Sequence, residues 1–304
     1  TIALTTANGL LTDITKDFED GNVTWNYYIT KENTTSVKTE NECYIEINDD
    51  ANDKVLLSKV FNNVEEYDLS NVAGTGKMAF ILGRECFKST SLSNVDVPVG
   101  CTQIRSACFR TCSKLKTINL PQGLEYIGGG AFYQCSNLEY IDVPNTVVWR
   151  SNDSETFRDC TKLKWANIPS LTNVPPLMFY NCPAMKALCL GSSSTPVTKF
   201  ELGSHSSLYP IIICLTTANG VETDINSDYA NRGTEDNKGR FYFTKNDTKA
   251  VSTENELYVE LNDGVNDDKA ILVECYDKTI TAYNLFDIAD SGRVATQRIL
   301  NSCF

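Results

Sequence analysis

Five phenylalanines, Phe87, Phe109, Phe132, Phe157 and Phe179, stand 22, 23, 25 and 22 residues apart, and the residues around them recur in step. Three positions after Phe comes Cys112, Cys135, Cys160 or Cys182, with Thr90 in the first copy. An apolar residue follows (Leu92, Leu115, Leu138, Leu163, Met185), and six positions beyond it stands Pro98, Pro121, Pro144 or Pro169, with Gly191 in the last copy. A unit this short cannot bury its own apolar face, so the copies must stack and share one continuous core. Self-similarity at a period of roughly 20–29 residues with fixed Leu positions is the signature of a leucine-rich solenoid. In CSKLKTINLP and CSNLEYIDVP the apolar residues alternate over a short stretch that ends at Pro, which predicts one brief strand per turn.

A second, longer repeat frames the first. LTTANG occurs at Leu4–Gly9 and again at Leu215–Gly220, 211 residues later. NGLLTDITKDF is echoed by NGVETDINSDY, and YYITKENTTSVKTENECYIEIND by FYFTKNDTKAVSTENELYVELND. The echo runs on through YDLSNVAGTGKMAFILGRECF, which leads into the first solenoid turn, to YNLFDIADSGRVATQRILNSCF, which ends at Phe304. This divides the chain into a β-rich module at 1–76, a solenoid at 77–198, a linker with a second copy of the module at 199–292, and the start of a second solenoid at 293–304. NVTWNYYIT, ECYIEIND, KVLLSKVF, GRFYFTK, ELYVELND and KAILVECY are rich in aromatic and β-branched residues and read as strands. The fold class is mainly β: a leucine-rich solenoid between two homologous small modules, for which an immunoglobulin-like sandwich is the expected form. The alternation reads as about one and a half periods of a longer array.

The stretch GAFYQCSNLEYIDVPNTV, with its AF, C, L, I and P in these places, resembles the BspA-like leucine-rich repeats of bacterial and protist surface proteins. The resemblance covers about residues 80–195 and departs from the pattern twice, at Thr90 and at a two-residue insertion around Arg150–Ser154. It implies a non-catalytic protein, exported or attached to a surface, that recognises a protein or glycan on another cell or surface. The alternative is a structural fibre subunit, from a cell-surface appendage or a virion, that associates with itself.

Composition narrows the field. With 22% charged and 41% apolar residues the chain reads as a folded protein, and its net charge of −12 without a basic stripe argues against a nucleic-acid partner. No apolar run approaches the roughly 20 residues of a membrane-spanning helix. The only histidine, His205, lies in the Ser-rich stretch ELGSHSSLYP with nothing in the sequence to place a nucleophile beside it. AGTGK at Ala73–Lys77 lacks the first Gly and the final Ser or Thr of a phosphate loop and reads as a turn. No cofactor is expected and no metal site is assigned. Asp49, Asp50, Asp53, Asp263, Asp267 and Asp268 sit in acidic links that could offer oxygens to Ca²⁺ but lack an EF-hand framework, so hairpin turns are the plainer reading. Four of the 12 cysteines recur on one rung of the ladder and fit buried packing thiols, a disulfide from Cys108 to a neighbouring turn being the other reading. Asn22, Asn33, Asn152 and Asn246 open Asn-x-Ser/Thr triplets, acceptors for glycosylation in a eukaryotic secretory pathway. Trp149 and Trp165 are candidate ligand contacts, with ladder filling as the other role open to each.

Overall fold

The computed structural model describes residues 2–5, 28–31, 33–48, 54–150, 153–198, 211–219, 240–245, 247–262, 269–276 and 294–295. The Phe ladder forms a solenoid whose turns present three sides. One side carries the parallel strands β7 (Asn94–Asp96), β9 (Thr117–Asn119), β11 (Tyr140–Asp142), β12 (Trp165–Ile168) and β13 (Ala187–Leu190). Their inward residues are in register from turn to turn, Val95 with Ile118 and Ile141 with Ala166 and Leu188. A second side carries β6 (Met78–Leu82), β8 (Gln103–Ile104) and β10 (Tyr126–Ile127), also parallel, with Leu82, Ile104 and Ile127 in one row.

The third side has tight turns in place of strands. There four of the five Phe N–H groups donate to a carbonyl one turn further on: Phe87 to Cys108 at 2.9 Å, Phe109 to Ala131 at 2.8 Å, and Phe132 and Phe157 to Thr156 and Met178 at 3.0 Å. Two residues after each Phe the backbone is left-handed, at Ser89, Thr111, Gln134, Asp159 and Asn181, with φ between 57° and 65°. That conformation costs an L-residue about 1–2 kcal/mol. Short polar residues tolerate it best, and the N–H groups of the first four are directed to the next turn. Gly128 is required by close approach, since a Cβ there would lie 2.4 Å from the Ser106 nitrogen.

Inside, the phenylalanine rings stack with centroids 5.3–5.5 Å apart and planes within 11° of parallel. Tyr67 closes the stack edge-on at 5.1 Å, its hydroxyl donating to Glu42. Beside the rings, each ladder thiol donates to the Phe carbonyl of the preceding turn: Cys112 to Phe87 at 2.9 Å, Cys135 to Phe109 at 3.1 Å, and Cys160 and Cys182 to Phe132 and Phe157 at 3.2 Å. Thr90 fills the first rung with a hydroxyl bonded to Phe87 O at 2.9 Å. All eleven described cysteines are free thiols, so the ladder is a packing row and Cys108 stands unbridged.

The modules are continuous with the solenoid. In the first, β3 (Asn33–Lys38), β4 (Glu42–Asn48) and β5 (Lys54–Val60) form an antiparallel meander, and β5 then pairs in parallel with β6 to give one sheet ordered β10-β8-β6-β5-β4-β3. KVLLSKV can do this because both of its faces are covered. Val55 and Leu57 join the solenoid core, whereas Leu56 joins a smaller cluster with Ile45, Ile47 and Ile81. Among the described residues the meander lies in this one sheet shared with the solenoid, and the two facing sheets of the expected immunoglobulin-like sandwich are not seen. A separate parallel pair, β1 (Ile2–Thr5) with β2 (Tyr28–Lys31), approaches β3.

The second copy repeats this register. β14 (Ile211–Thr216) and β15 (Arg240–Lys245) pair as β1 and β2 do, Leu215 with Thr244 matching Leu4 with Thr30. β16 (Asp247–Ser252), β17 (Glu256–Asn262) and β18 (Lys269–Cys275) repeat the meander, with Val251 opposite Tyr258 as Val37 is opposite Tyr44. β19 (Val294–Ala295) pairs in parallel with β18, as β6 does with β5. The first layer, β14-β15, extends the solenoid sheet beyond β13, with Cys189 opposite Cys214. The second layer folds back over that sheet, and Trp165, Ala187, Cys189, Ile212 and Cys214 on one side meet Ala250, Leu257, Val259, Leu261, Ile271 and Val273 on the other. At the seam the Asn167 amide accepts from Ala250 N and donates to Ala250 O, both at 2.8 Å and both buried.

Two predictions follow from this packing. Burial pushes the Cys112 thiol up to about 11 and Cys182 to about 12, and raises Cys108, Cys135 and Cys160 in the same direction. A thiol reagent at pH 8 will therefore label half-buried Cys43 first among the described cysteines, and the ladder thiols only at the rate of unfolding; mass spectrometry of timed aliquots checks the order. Replacing Asn167 by Ala strands two buried backbone groups and should cost about 2–4 kcal/mol, read by urea unfolding together with faster proteolysis within residues 211–276.

Candidate functional site

The outward residues of the strand side change character along the solenoid. They are Asn94 and Asp96 on β7, Thr117 and Asn119 on β9, Tyr140 and Asp142 on β11, Trp165 and Asn167 on β12, and Ala187 and Cys189 on β13. β7 reads exposed-buried-exposed, whereas β12 and β13 are buried at every position because the second module lies over them. The open part is a polar row tied across turns by Thr117 Oγ1 donating to Asn94 Oδ1 at 2.6 Å and Asn119 Nδ2 donating to Asp96 Oδ1 at 2.5 Å. Its far end is marked by Lys249 of β16, 3.3 Å from Asp142.

Trp165 lies beneath the cover. Its ring stacks on Tyr140 at 4.9 Å and 10° and is 7% exposed, so it is core between the two layers rather than an accessible contact. Trp149 has a different place. It occupies the outward position held by Tyr126 and Gln103 one and two turns earlier, and the next residue, Arg150, replaces the inward Ile127 and Ile104. A guanidinium cannot enter the apolar core, so the strand row ends and Arg150 is exposed. Val148 N still donates to Glu125 O at 2.8 Å, but one turn later Pro175 and Pro176 bring no N–H to continue the pairing.

The break leaves a cavity of about 690 Å³, lined by Trp149, Arg150, Asn145, Asn173, Thr195 and the apolar faces of Val147, Val174 and Pro176. Trp149 Nε1 donates to Ser170 Oγ at 3.1 Å, and the Arg150 guanidinium lies 4.3 Å over the Tyr126 ring. Beneath them buried Asp153 accepts from Tyr126 OH at 2.8 Å and Arg150 N at 2.7 Å. Burial raises the Asp153 carboxyl above its ordinary value, and burial beside this carboxylate pushes the Tyr126 phenol up to about 12.

A third row was not singled out from the sequence. The residues just after each Phe include Arg110, Tyr133, Arg158 and Tyr180, and the guanidinium groups sit over the rings at 4.6–5.6 Å. The alternation is visible at period 22–25 once the ladder is aligned, but each residue by itself resembles ordinary surface. Among the described residues no three His, Cys, Asp or Glu side chains converge as a metal site, and no helix is long and apolar enough to cross a membrane. His205, the acidic links with Asp49, Asp50, Asp53, Asp263, Asp267 and Asp268, and Asn22, Asn152 and Asn246 lie outside the described residues, whereas Asn33 opens β3.

Residues 81–208 match the BspA type leucine rich repeat region in 6 copies, one more than the Phe ladder counts. This stretch is a BspA-type repeat region. The repeats are similar in structure to a leucine rich cell surface protein of Faecalibacterium prausnitzii, 22% identical with a TM-score of 0.47, over 79% of this chain and 61% of that one. A leucine rich repeat protein of T. pallidum is 18% identical with a TM-score of 0.36, over 52% of this chain and 87% of that one. A leucine-rich repeat protein of Bacteroides ovatus is 19% identical with a TM-score of 0.24, over 51% and 64%. The chain thus spans 61% of the length of the first of these proteins. No curated protein matches it in sequence.

The raised Asp153 carboxyl in the BspA-type repeats carries a sign. Its folded value exceeds its unfolded one, so its contribution to stability is complete below the ordinary carboxylate range and is lost as pH rises through the folded value. Asp153→Asn keeps an acceptor for Tyr126 but removes this dependence. The stability advantage of the native protein over the variant should be largest at acid pH and shrink toward neutrality, as measured by urea unfolding at a series of pH values.

Proposed function

We infer that the protein is a non-catalytic recognition protein of a cell surface, binding a protein partner along the open row of β7, β9 and β11. One observation carries this reading: the same outward row is polar and uncovered at Asn94, Asp96, Thr117 and Asn119, and apolar and covered from Trp165 onward. Parallel strands stacked in a solenoid hold such a row at fixed spacing, so a partner meets preorganised side chains and the entropy lost on binding is small. The BspA-type match supports the surface setting.

The module is a splice. Its first layer lengthens the sheet of the solenoid before it, and its second layer carries β19 in the place where β6 opens the solenoid. Alternation of solenoids and splices gives a rigid array that presents the open row at intervals, which suits adhesion more than free diffusion.

The test is binding of the full chain to a panel of purified surface and matrix proteins. Capture of a partner, weakened about tenfold or more by Asp96→Arg and Thr117→Arg and unchanged by Arg110→Glu on the opposite side, is the expected outcome. Capture indifferent to the row variants would sink the reading.

A further inference from the structure

We propose that the cleft at Trp149 is a separate site for a neutral oligosaccharide. This is independent of the open row, which lies on the strand side of the solenoid, whereas the cleft opens where the other strand side ends after β10. The volume, about 690 Å³, falls within the range of roughly 300–1,000 Å³ of small-ligand sites.

The lining decides the class of ligand. Among the described residues Arg150 is the one charged side chain of the lining, and that charge already rests on the Tyr126 ring at 4.3 Å. A phosphate or an acidic peptide would find one cation, already engaged. Asn145, Asn173 and Thr172 bring exposed amides and a hydroxyl that both donate and accept, and a purely apolar ligand would leave them without partners, whereas Ser170 and Thr195 are already engaged by Trp149 and by Pro169 O. Against this polar rim stand Trp149 and the apolar faces of Val147, Val174 and Pro176. The Trp149 N–H is occupied by Ser170 at 3.1 Å, so the indole offers surface rather than its donor. A sugar ring has the matching form, a C–H face for the indole and a rim of hydroxyls for the amides.

The site also explains why the repeat is broken here at the cost of a strand. Arg150 replaces a core residue, a buried carboxylate accepts from its backbone N–H, and two prolines stand in the next turn, all around one partly buried tryptophan. In the preceding turns the same position holds Gln103 and Tyr126 within regular strands, with no such opening.

The experiment titrates the full chain with neutral gluco-, galacto-, manno- and N-acetylglucosamine oligosaccharides, read by calorimetry and tryptophan fluorescence. The expected result is saturable binding by one series, with the dissociation constant raised tenfold or more in Trp149→Ala. Because Trp149 packs partly on the core, Asn145→Ala with Asn173→Ala provides a second variant at exposed positions, expected to weaken binding while leaving the urea midpoint unchanged. Asp96→Arg should bind the saccharide as the native protein does, so failure of the open row and failure of this site are separable. No binding by any series up to millimolar concentration, binding indifferent to both cleft variants, or binding in the cleft of a proline-rich peptide instead would each overturn the proposal.

Discussion

Everything in this molecule hangs on one recurring carbonyl. The carbonyls of Phe87, Phe109, Phe132 and Phe157 each accept the backbone N–H three residues on within their own turn, and then the ladder thiol of the following turn. That second bond joins turn to turn at the point where the phenylalanine rings are stacked at 5.3–5.5 Å. Ring spacing and hydrogen-bond length agree, so the rise per turn is set twice by independent interactions. A thiol suits the rung because it is small, apolar enough to lie in the core and still a weak donor. At Thr90, beside the edge-on cap from Tyr67, a hydroxyl replaces it at the start of the stack, where it bonds Phe87 O within the same turn.

The two modules show how one strand set behaves in two settings. Ser36, Cys43 and Ser58 of the first are exposed or half-buried, and their counterparts Ala250, Leu257 and Val273 in the second are buried under β12, β13 and β14. The remaining apolar positions, Ile45 and Val259 or Leu56 and Ile271, are buried in both. Register and turns stay the same, down to Thr39 and Thr253 hydroxyls accepting from Glu42 N and Glu256 N at 3.1 Å. The backbone plan therefore belongs to the meander, and only the residues that meet the solenoid record its presence.

The solenoid was legible in the sequence because its signal repeats: five copies of Phe, with Cys in four of them and Leu in four, at matching offsets leave little freedom for the core. The paired module was legible for the same reason. The edge-to-edge union of β5 with β6 was not, since KVLLSKV reads as a strand whichever sheet receives it, and the burial of both its faces depends on partners far along the chain. The fate of the two tryptophans was equally hidden. WANI and IDV occupy the same rung, and only the cover from β16 and β17 separates buried Trp165 from the exposed row before it. The cleft left a trace, the insertion after Arg150, but its floor is formed by residues of the following turn, which a linear reading does not place opposite Trp149.

The outward row carries its own record of what covers it. From Asn94 and Asp96 through Thr117 and Asn119 to Tyr140 and Asp142 each turn offers hydrogen-bonding groups, and from Ala187 and Cys189 to Ile212 and Cys214 each offers only apolar ones. Asn167 stands at the change, a polar side chain buried under the cover with both its donor and its acceptor engaged by Ala250. A buried amide in such a place is tolerated only when fully paired, and full pairing demands one position of β16 against β12. Apolar contact alone would hold the module to the solenoid but allow it to slide by a turn; the amide fixes the register and, with it, where the covered surface ends and the open row begins.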